Sequence, residues 1–491
     1  MSNRGQSKLL LGAFLVLVLS CWAASRIQNS GGQVHVDSIK IPTHNGQWVV
    51  ADLFKPRSVT ADSPAPFVVV IPGFQRSKEA LSNVAIELSR RGFVAASIDP
   101  YAQGSSSASL SRIAATTEGY GMFALVDYVA SSSNLNYVDR SRIGATGHSA
   151  GGNAAIRGAN YFGREAASTG KPSKLHSVYV SGYVLTLTDE VLQDVRSNVG
   201  VAYALYDEGA YRNAYGDGDM RIAPEALRTV NSGLPESAAI SEVELGRYYG
   251  DLQQRTLRVI HNERNLHPFQ PYMAEAIANQ IAYFERVFDV QSGLDPYDQV
   301  WQWREILGVI ALIAALVATI PMGHFLLQTA PFRHLVDPVP PALPRPAGRS
   351  QFIFWTTFTI GAVIACVTYI PMAELSQKLF VAASTRQLTW FFPQRMNNAV
   401  MLWAILNGVV GFLMFWLTYR YFGRRHGITP AYWGTATTVR ELGKTLMLAL
   451  LLFTAFFLTL FVIYYFLHVD YRFLFMGVRP FQPELLLLLA M

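Results

Sequence analysis

The residues from Gly147 to Gly151 read Gly-His-Ser-Ala-Gly, which places Ser149 between two glycines. This G-x-S-x-G pattern lies between an apolar run that predicts a strand and a small-residue run that predicts a helix. A chain that turns so sharply needs small neighbours, because a bulky residue at 147 or 151 would clash. The first N–H groups of the helix would favour negative charge beside the serine. Ser149 is therefore predicted to be a catalytic nucleophile.

The elements that must position this serine alternate between strand and helix patterns from Gln33 to about Val290. Short apolar runs such as APFVVVIPG and FVAASID predict buried strands, and SKEALSNVAIELSRRG between them predicts an amphipathic helix. The alternation predicts an α/β fold with a doubly wound, mostly parallel sheet that carries helices on both faces. The earlier runs QVHVDSIKI and QWVVADLFKP predict an antiparallel hairpin that leads into the sheet.

Four segments of this region together resemble the α/β-hydrolase superfamily. They are VVVIPGFQRSKEA, LSRRGFVAASID, VDRSRIGATGHSAGG and LHPFQPYMAEAI. Within the superfamily, the chain is similar to the dienelactone hydrolases, the cutinase-like polyesterases and the platelet-activating-factor acetylhydrolases. The resemblance extends over about half of the chain and implies an α/β-hydrolase domain over residues 33–290.

The resemblance also implies where the histidine and the acid of a catalytic triad lie. The superfamily order is serine, acid, histidine, with the histidine after the last strand, so His261 and His267 are the candidates. His267 is preferred because it lies in a loop from which an imidazole can reach back to Ser149, whereas His261 ends the strand TLRVIH. The acid is expected at Asp207, at the end of VGVAYALYD. Glu208 is the alternative, because a one-residue error in the strand end would exchange their directions.

A hydrolase of this kind stabilises the oxyanion of its tetrahedral intermediate with two backbone N–H groups. One is expected from Ala150, directly after the nucleophile. The other is expected from Phe74, because Pro72, Gly73 and Phe74 match the family's Pro-Gly-aromatic pattern after a strand. Such chemistry uses neither a metal ion nor an organic cofactor, and we expect neither here.

The connection from the candidate acid to the last strand is unusually long. An insertion at residues 209–250 is expected to reach over the rim of the active site as a lid or substrate-recognition segment. Its Asp-Gly-Asp run lacks the spaced ligands and the terminal glutamate of a calcium loop, so we interpret it as a solvated turn.

The rest of the chain is strongly apolar. Of the 491 residues, 51% are hydrophobic and only 15% are charged, which is too apolar for a plain soluble protein. Residues 1–30 combine a basic start with an apolar run and are interpreted as an N-terminal membrane anchor or signal segment, with the anchor preferred. After a linker at 291–303, residues 304–491 contain four apolar runs of membrane-crossing length, which predict a transmembrane α-helical bundle with at least four spans.

Basic residues near the span ends predict the orientation of the chain in a cell membrane. The segment MSNRGQSK, the loop around Arg345 and the segment YRYFGRRHG are basic and are expected in the cytoplasm. Alternation of five spans then puts the hydrolase domain on the non-cytoplasmic side. The net charge of +6 is modest and forms no single basic face, so we expect no nucleic-acid partner.

These observations predict a membrane-embedded serine hydrolase that cleaves carboxylic esters through an acyl-serine intermediate. We expect a small-molecule or lipid ester as substrate and membrane lipid around the spans, while the sequence leaves the oligomeric state open. A peptidase or an acyltransferase is the alternative enzyme. A non-catalytic receptor or permease with a hydrolase-like domain is the alternative outside the enzymes.

Overall fold

The chain folds into two compact units in the computed structural model. The sheet unit is formed mainly by Trp22–Gly308, and the helical unit by Met1–Cys21, Val309–Ser384 and Gln394–Tyr471. The structure describes residues 2–472 except residues 44–45, 337, 340–341, 343–344, 346, 386, 388–394 and 434–436. The predicted hydrolase domain therefore lies within the sheet unit.

The sheet unit is built on one sheet. Among the described residues its strands are β1 (Val34–Pro42), β2 (Trp48–Pro56), β3 (Ala65–Ile71), β4 (Val94–Ile98), β5 (Val138–His148), β6 (Ser177–Ser181), β7 (Asn198–Ala204), β8 (Tyr248–Tyr249) and β9 (Arg258–Glu263). Their order in the sheet is β1-β2-β4-β3-β5-β6-β7-β9-β8. Strand β2 is antiparallel to β1 and β4, and β8 is antiparallel to β9, whereas the other neighbours are parallel. The predicted hairpin and the mostly parallel sheet are confirmed.

Strand β3 shows why the central strands are continuous apolar runs. Successive side chains of a strand point to opposite faces of the sheet. Phe67, Val69 and Ile71 accordingly pack into a first core cluster, and Val68 and Val70 pack into a second core cluster on the other face. All five side chains are fully buried, as expected for a parallel strand covered on both faces.

Helices cover both faces of this sheet. The α-helices of the described chain are α1 (Asn3–Gln28), α2 (Ser82–Arg90), α3 (Ala114–Thr117), α4 (Met122–Ser131), α5 (Ala150–Thr169), α6 (Asp189–Leu192), α7 (Pro224–Asn231), α8 (Ala274–Phe288), α9 (Trp301–Leu327), α10 (Arg349–Leu379), α11 (Val381–Ser384), α12 (Arg395–Thr418) and α13 (Val439–Leu467). Residues of α4 and α5 complete the first core cluster, and residues of α2 and α8 complete the second. The sheet is therefore doubly wound, as predicted.

The insertion at 209–250 contributes structure to the sheet unit. It contains α7 and the edge strand β8. Its side chains Met220, Ala226 and Val230 are fully buried in the first core cluster. At least this part of the insertion is thus a component of the core, while its role at the rim of the active site stays a prediction.

Five helices among the described residues are long and apolar enough to cross a membrane. They are α1, α9, α10, α13 and the helix Arg395–Gly423, in which α12 continues through a π-helical turn at Tyr419–Gly423. Their positions match the five apolar runs identified in the sequence. A further short apolar run at the C-terminal end of the given sequence, ELLLLLAM, lies outside the described residues.

The segment 291–303, expected to be a linker, is packed into the sheet unit. This unit extends to Gly308, and helix α9 begins within the segment, at Trp301. The indole of Trp301 is buried in the second core cluster. Trp301 is the buried residue of this segment, whose other residues are exposed or half-buried, so the segment is attached to the core at its C-terminal end.

Candidate active site

Ser149 lies at the sharp turn between β5 and α5. Strand β5 ends at His148 and helix α5 begins at Ala150, so Ser149 is the residue at which the chain reverses. Its backbone angles, φ 57° and ψ −118°, belong to a region that non-glycine residues avoid. The backbone N–H of Ser149 donates a 2.8 Å hydrogen bond to the carbonyl of Ser181 in β6, which helps to hold this conformation. The predicted strand, turn and helix around the serine are confirmed.

The two glycines of the motif are required by close backbone contacts. A Cβ atom on Gly147 would lie 2.4 Å from the carbonyl carbon of Gly151, and one on Gly151 would lie 2.0 Å from the carbonyl oxygen of Ile71. Backbone atoms cannot yield as the end of a flexible side chain can. The turn thus excludes any larger residue at either position and leaves the Ser149 side chain partly exposed beside β3.

His267 and Asp207 form a hydrogen-bonded pair. The Nδ1 atom of His267 lies 2.7 Å from Oδ2 of Asp207, whose other oxygen accepts a 2.7 Å hydrogen bond from the N–H of Gly209. Burial alone would raise the pKa of the Asp207 carboxyl, but the hydrogen bonds from His267 and Gly209 lower it below its usual value. Asp207 is therefore a carboxylate that orients the imidazole and fixes its tautomer.

The His267 ring also lies next to the serine turn. Its centroid is 4.6 Å from that of His148, the residue directly before Ser149. His267 begins the 3-10 turn His267–Tyr272, which leads into α8. The structure thus brings the predicted base, its acid and the serine turn to the carboxyl ends of β5, β7 and β9.

Glu208, the alternative acid, occupies a different role. Its Oε2 accepts a 3.1 Å hydrogen bond from the backbone N–H of His267. The Glu208 carboxylate therefore binds the backbone of His267, whereas the Asp207 carboxylate binds its ring.

His261, the alternative base, lies within β9, and its Nδ1 is 3.0 Å from the hydroxyl of Tyr179. Burial lowers the pKa of His261 to about 4. This histidine is therefore a neutral, half-buried residue.

Asp207→Asn is expected to lower kcat by about 10⁴-fold, because an amide at this position permits the wrong imidazole tautomer. Glu208→Gln is the matched control, since its amide oxygen can still accept from the His267 N–H. Its effect should be roughly tenfold at most, the equivalent of one hydrogen bond. Steady-state ester hydrolysis by the two variants measures the difference. A larger loss in Glu208→Gln would exchange the two roles.

The two predicted oxyanion donors flank the serine. Ala150 is the first residue of α5, where backbone N–H groups have no partner within the helix. The backbone next to Phe74 passes beside Ser149, since a Cβ atom on Gly73 would lie 3.5 Å from Cβ of Ser149. Both residues thus lie close to Ser149, and their role as oxyanion donors remains a proposal.

A buried network under the histidine was not foreseen. Gln270, in the turn that begins with His267, donates a 2.9 Å hydrogen bond to Oε2 of Glu263, and Asn279 donates one of 2.9 Å to Oε1. Glu263 and Gln270 are almost fully buried. Burial raises the pKa of Glu263. The hydrogen bonds from Asn279 and Gln270 act in the opposite direction and lower it, but the effect of burial is larger. The only sequence signal was a glutamate at the end of the last strand, four residues before His267.

His148 is buried between this network and the pair of His267 and Asp207. Burial lowers its pKa well below the ordinary value, and the electrostatic interactions with His267 and Arg76 act in the same direction. His148 is thus a neutral imidazole that packs against His267.

Part of this chain matches the model of a known protein family. Residues 22–208 match the model of the PET hydrolase-like family, PETase. The matched part contains Ser149 and both candidate acids and ends before His267. The match extends over fewer than half of the residues of the chain. It agrees with the α/β-hydrolase-like arrangement of the sheet unit and with the superfamily resemblance drawn from the sequence.

Solved structures similar to this chain include three hydrolases. An esterase of Pyrococcus furiosus is 12% identical with a TM-score of 0.36, covering 53% of this chain and 95% of its own. A dienelactone hydrolase-like promiscuous phosphotriesterase from metagenomic libraries is 14% identical with a TM-score of 0.35, covering 53% and 99%. An esterase of the archaeon Pyrobaculum calidifontis is 16% identical with a TM-score of 0.33, covering 58% and 91%. No protein of curated function matches the chain.

Proposed function

We propose that the protein is a membrane-embedded serine hydrolase that cleaves carboxylic esters through an acyl-serine intermediate. The observation that carries this proposal is the 2.7 Å contact between His267 Nδ1 and Asp207, beside the strained turn at Ser149. A carboxylate that orients an imidazole next to a partly exposed serine on such a turn is the arrangement that activates a weak hydroxyl nucleophile.

In the proposed mechanism, Nδ1 of His267 donates to Asp207, which leaves Nε2 as the base. Nε2 takes the proton of Ser149 Oγ as the oxygen attacks the ester carbonyl, and the N–H groups of Ala150 and Phe74 stabilise the oxyanion. The imidazolium then protonates the leaving alkoxide, and the alcohol departs from an acyl-serine. A water molecule repeats the sequence, and the acid is released with Ser149 restored.

Apolar side chains around these residues support an ester with an apolar acyl or alcohol part. Phe74, Tyr206, Leu266 and Phe269 are all exposed to solvent, and each lies within two residues of a proposed catalytic or oxyanion residue. Exposed aromatic and aliphatic groups beside a site provide contact area for an apolar ligand. A lipid ester is accordingly the substrate class that we favour.

The proposal is tested with the full chain in detergent. Nitrophenyl esters of graded acyl length should be hydrolysed, with kcat/KM rising from acetyl to medium-chain acyl groups as apolar area is buried. A fluorophosphonate should label the protein once and stop turnover, and the matching anilides should be poor substrates. Absence of both labelling and ester turnover would support a non-catalytic ligand-binding role instead.

We further propose that the hydrolase domain faces the non-cytoplasmic side of the cell membrane, on the basis of the basic segments near the span ends. A membrane-impermeant fluorophosphonate added to intact cells or spheroplasts should then label Ser149 as fully as it does after lysis. The Ser149→Ala variant serves as the control for specificity. Labelling that requires lysis would place the site in the cytoplasm.

A further inference from the structure

The first turn of helix α9 is anchored by a buried carboxylate from α2. Oε1 of Glu87 accepts hydrogen bonds from the backbone N–H groups of Val300, at 2.7 Å, and Trp301, at 3.1 Å. The side chain of Glu87 is fully buried. The N–H groups at a helix start have no partner within the helix, and negative charge there is favoured by the helix dipole. Glu87 therefore fixes the point at which this membrane-length helix begins.

Two arginines of the same region hold Glu87 and the chain before α9. Arg90 and Arg91 contact Oε2 of Glu87 at 2.7 and 2.9 Å. Arg91 also donates to the carbonyls of Asp295 and Asp298, both at 2.8 Å. Both oxygens of the Glu87 carboxylate are thus paired. The residues just before α9 are bonded to residues of α2 and its C-terminal end, although more than 200 residues separate them in the sequence.

Trp301 connects this anchor to the turn that carries His267. Its indole is buried in the second core cluster and its centroid is 6.4 Å from the ring of Tyr272, the last residue of that turn. The indole Nε1–H donates a 2.8 Å hydrogen bond to Gln299, whose amide nitrogen donates at 2.8 Å to the carbonyl of Ala274 at the start of α8. The first residue of α9 therefore contacts Tyr272 at the end of the histidine turn. Gln299, just before α9, bonds to Ala274, the first residue of α8.

The other contacts of this turn lie at different points along it. Gln270 is bonded to Glu263, and the carbonyl of Pro271 accepts a 2.8 Å hydrogen bond from Asn83. Tyr272 donates through its hydroxyl to the carbonyl of Ala80 at 3.1 Å. These bonds restrain the middle of the turn and the tip of the tyrosine, whereas the Trp301 indole packs against the tyrosine ring itself.

We propose that Trp301 is a positioning residue of the active site, which acts through Tyr272 on the turn that carries His267. The first residue of an apolar helix thereby becomes part of the support of the general base. This inference rests on the role proposed above for His267. A displacement of about 1 Å in a catalytic group can cost about 100-fold in rate, so the loss of one supporting ring is expected to be measurable.

Trp301→Ala in the full chain tests the proposal, with Trp303→Ala as the matched control. Trp303 lies on the same helix but is exposed, so it reports any general effect of losing a tryptophan near a span end. Trp301→Ala should lower kcat about tenfold or more with little change in KM, since the base is displaced and the substrate surface is kept. Amide hydrogen exchange of residues 267–273 should become faster in this variant. Trp303→Ala should change neither kcat nor the amide hydrogen exchange of residues 267–273.

Tyr272→Leu keeps the test decisive if Trp301→Ala does not fold, because it removes the same ring contact from the other side. It should give at least the same loss of kcat and at least as large an increase in exchange, since it also removes the hydroxyl bond to Ala80. In the double variant the two losses should not add, as expected for residues that act through one contact. A lower melting temperature with unchanged kcat and unchanged exchange would show a purely structural tryptophan and overturn the proposal, as would additive losses. If the parent chain hydrolyses no ester, the proposed function fails, while the exchange measurement still tests the contact.

Discussion

Ser149→Ala is expected to lower kcat for ester hydrolysis by about 10⁶-fold and to leave the fold unchanged. The substitution removes the oxygen that forms the acyl bond. It keeps the Cβ atom, so the backbone conformation at φ 57° costs the same in both proteins. We would measure turnover, labelling by a fluorophosphonate and the melting temperature together. The prediction requires that turnover and labelling are lost and that the melting temperature is unchanged.

Ser168→Ala is the control for this substitution. Ser168 lies on the same helix α5, is exposed and donates only to the carbonyl of Glu165. It should retain full labelling and turnover, with a change in the free energy of unfolding within about 0.5 kcal/mol. Residual labelling of Ser149→Ala would show that another nucleophile reacts and would contradict the assignment.

His267→Ala is expected to cause a loss of kcat of similar size, about 10⁶-fold, because no other base is bonded to an acid beside Ser149 within the described residues. Fluorophosphonate labelling should become slow for the same reason, since the serine hydroxyl is no longer deprotonated as it attacks. The folded structure should persist because the His267 side chain is partly exposed.

His261→Ala provides the contrast. It leaves the buried hydroxyl of Tyr179 without its imidazole partner, which should cost about 1–3 kcal/mol in the free energy of unfolding. The kcat per folded molecule should be retained, because this histidine is remote from Asp207 in the hydrogen-bond network. Denaturant unfolding together with active-site titration separates the two effects. The opposite pattern in the two variants would exchange the base.

The serine turn could be predicted from the sequence because its cause is local. Gly147 and Gly151 are adjacent in the chain to the serine that they accommodate, and the strand and helix patterns flank them directly. The choice between Asp207 and Glu208 was harder, because it depends on where the chain leaves the sheet. Strand β7 ends at Ala204, and the following turn directs Asp207 to the ring of His267 and Glu208 to its backbone.

The support of the base could not be predicted, because it depends on contacts between distant parts of the chain. Glu87 and Trp301 are separated by 214 residues, and their pairing follows from packing of α2, α8 and α9 that no local pattern encodes. Trp301 and Trp303 are both tryptophans at the start of the same apolar run, and the sequence pattern does not distinguish them. The structure distinguishes them by burial, since only Trp301 has an apolar site among residues of the second core cluster.

Strand β8 has only two residues and forms one outer edge of the sheet, where it pairs with β9. A long uncovered strand presents a row of unpaired N–H and C=O groups to which a strand of a neighbouring molecule can add, and very short edge strands prevent this. Because β8 belongs to the insertion at 209–250, shortening that insertion to widen access to Ser149 would uncover β9 along its free side. We therefore expect truncated variants to aggregate before they gain activity.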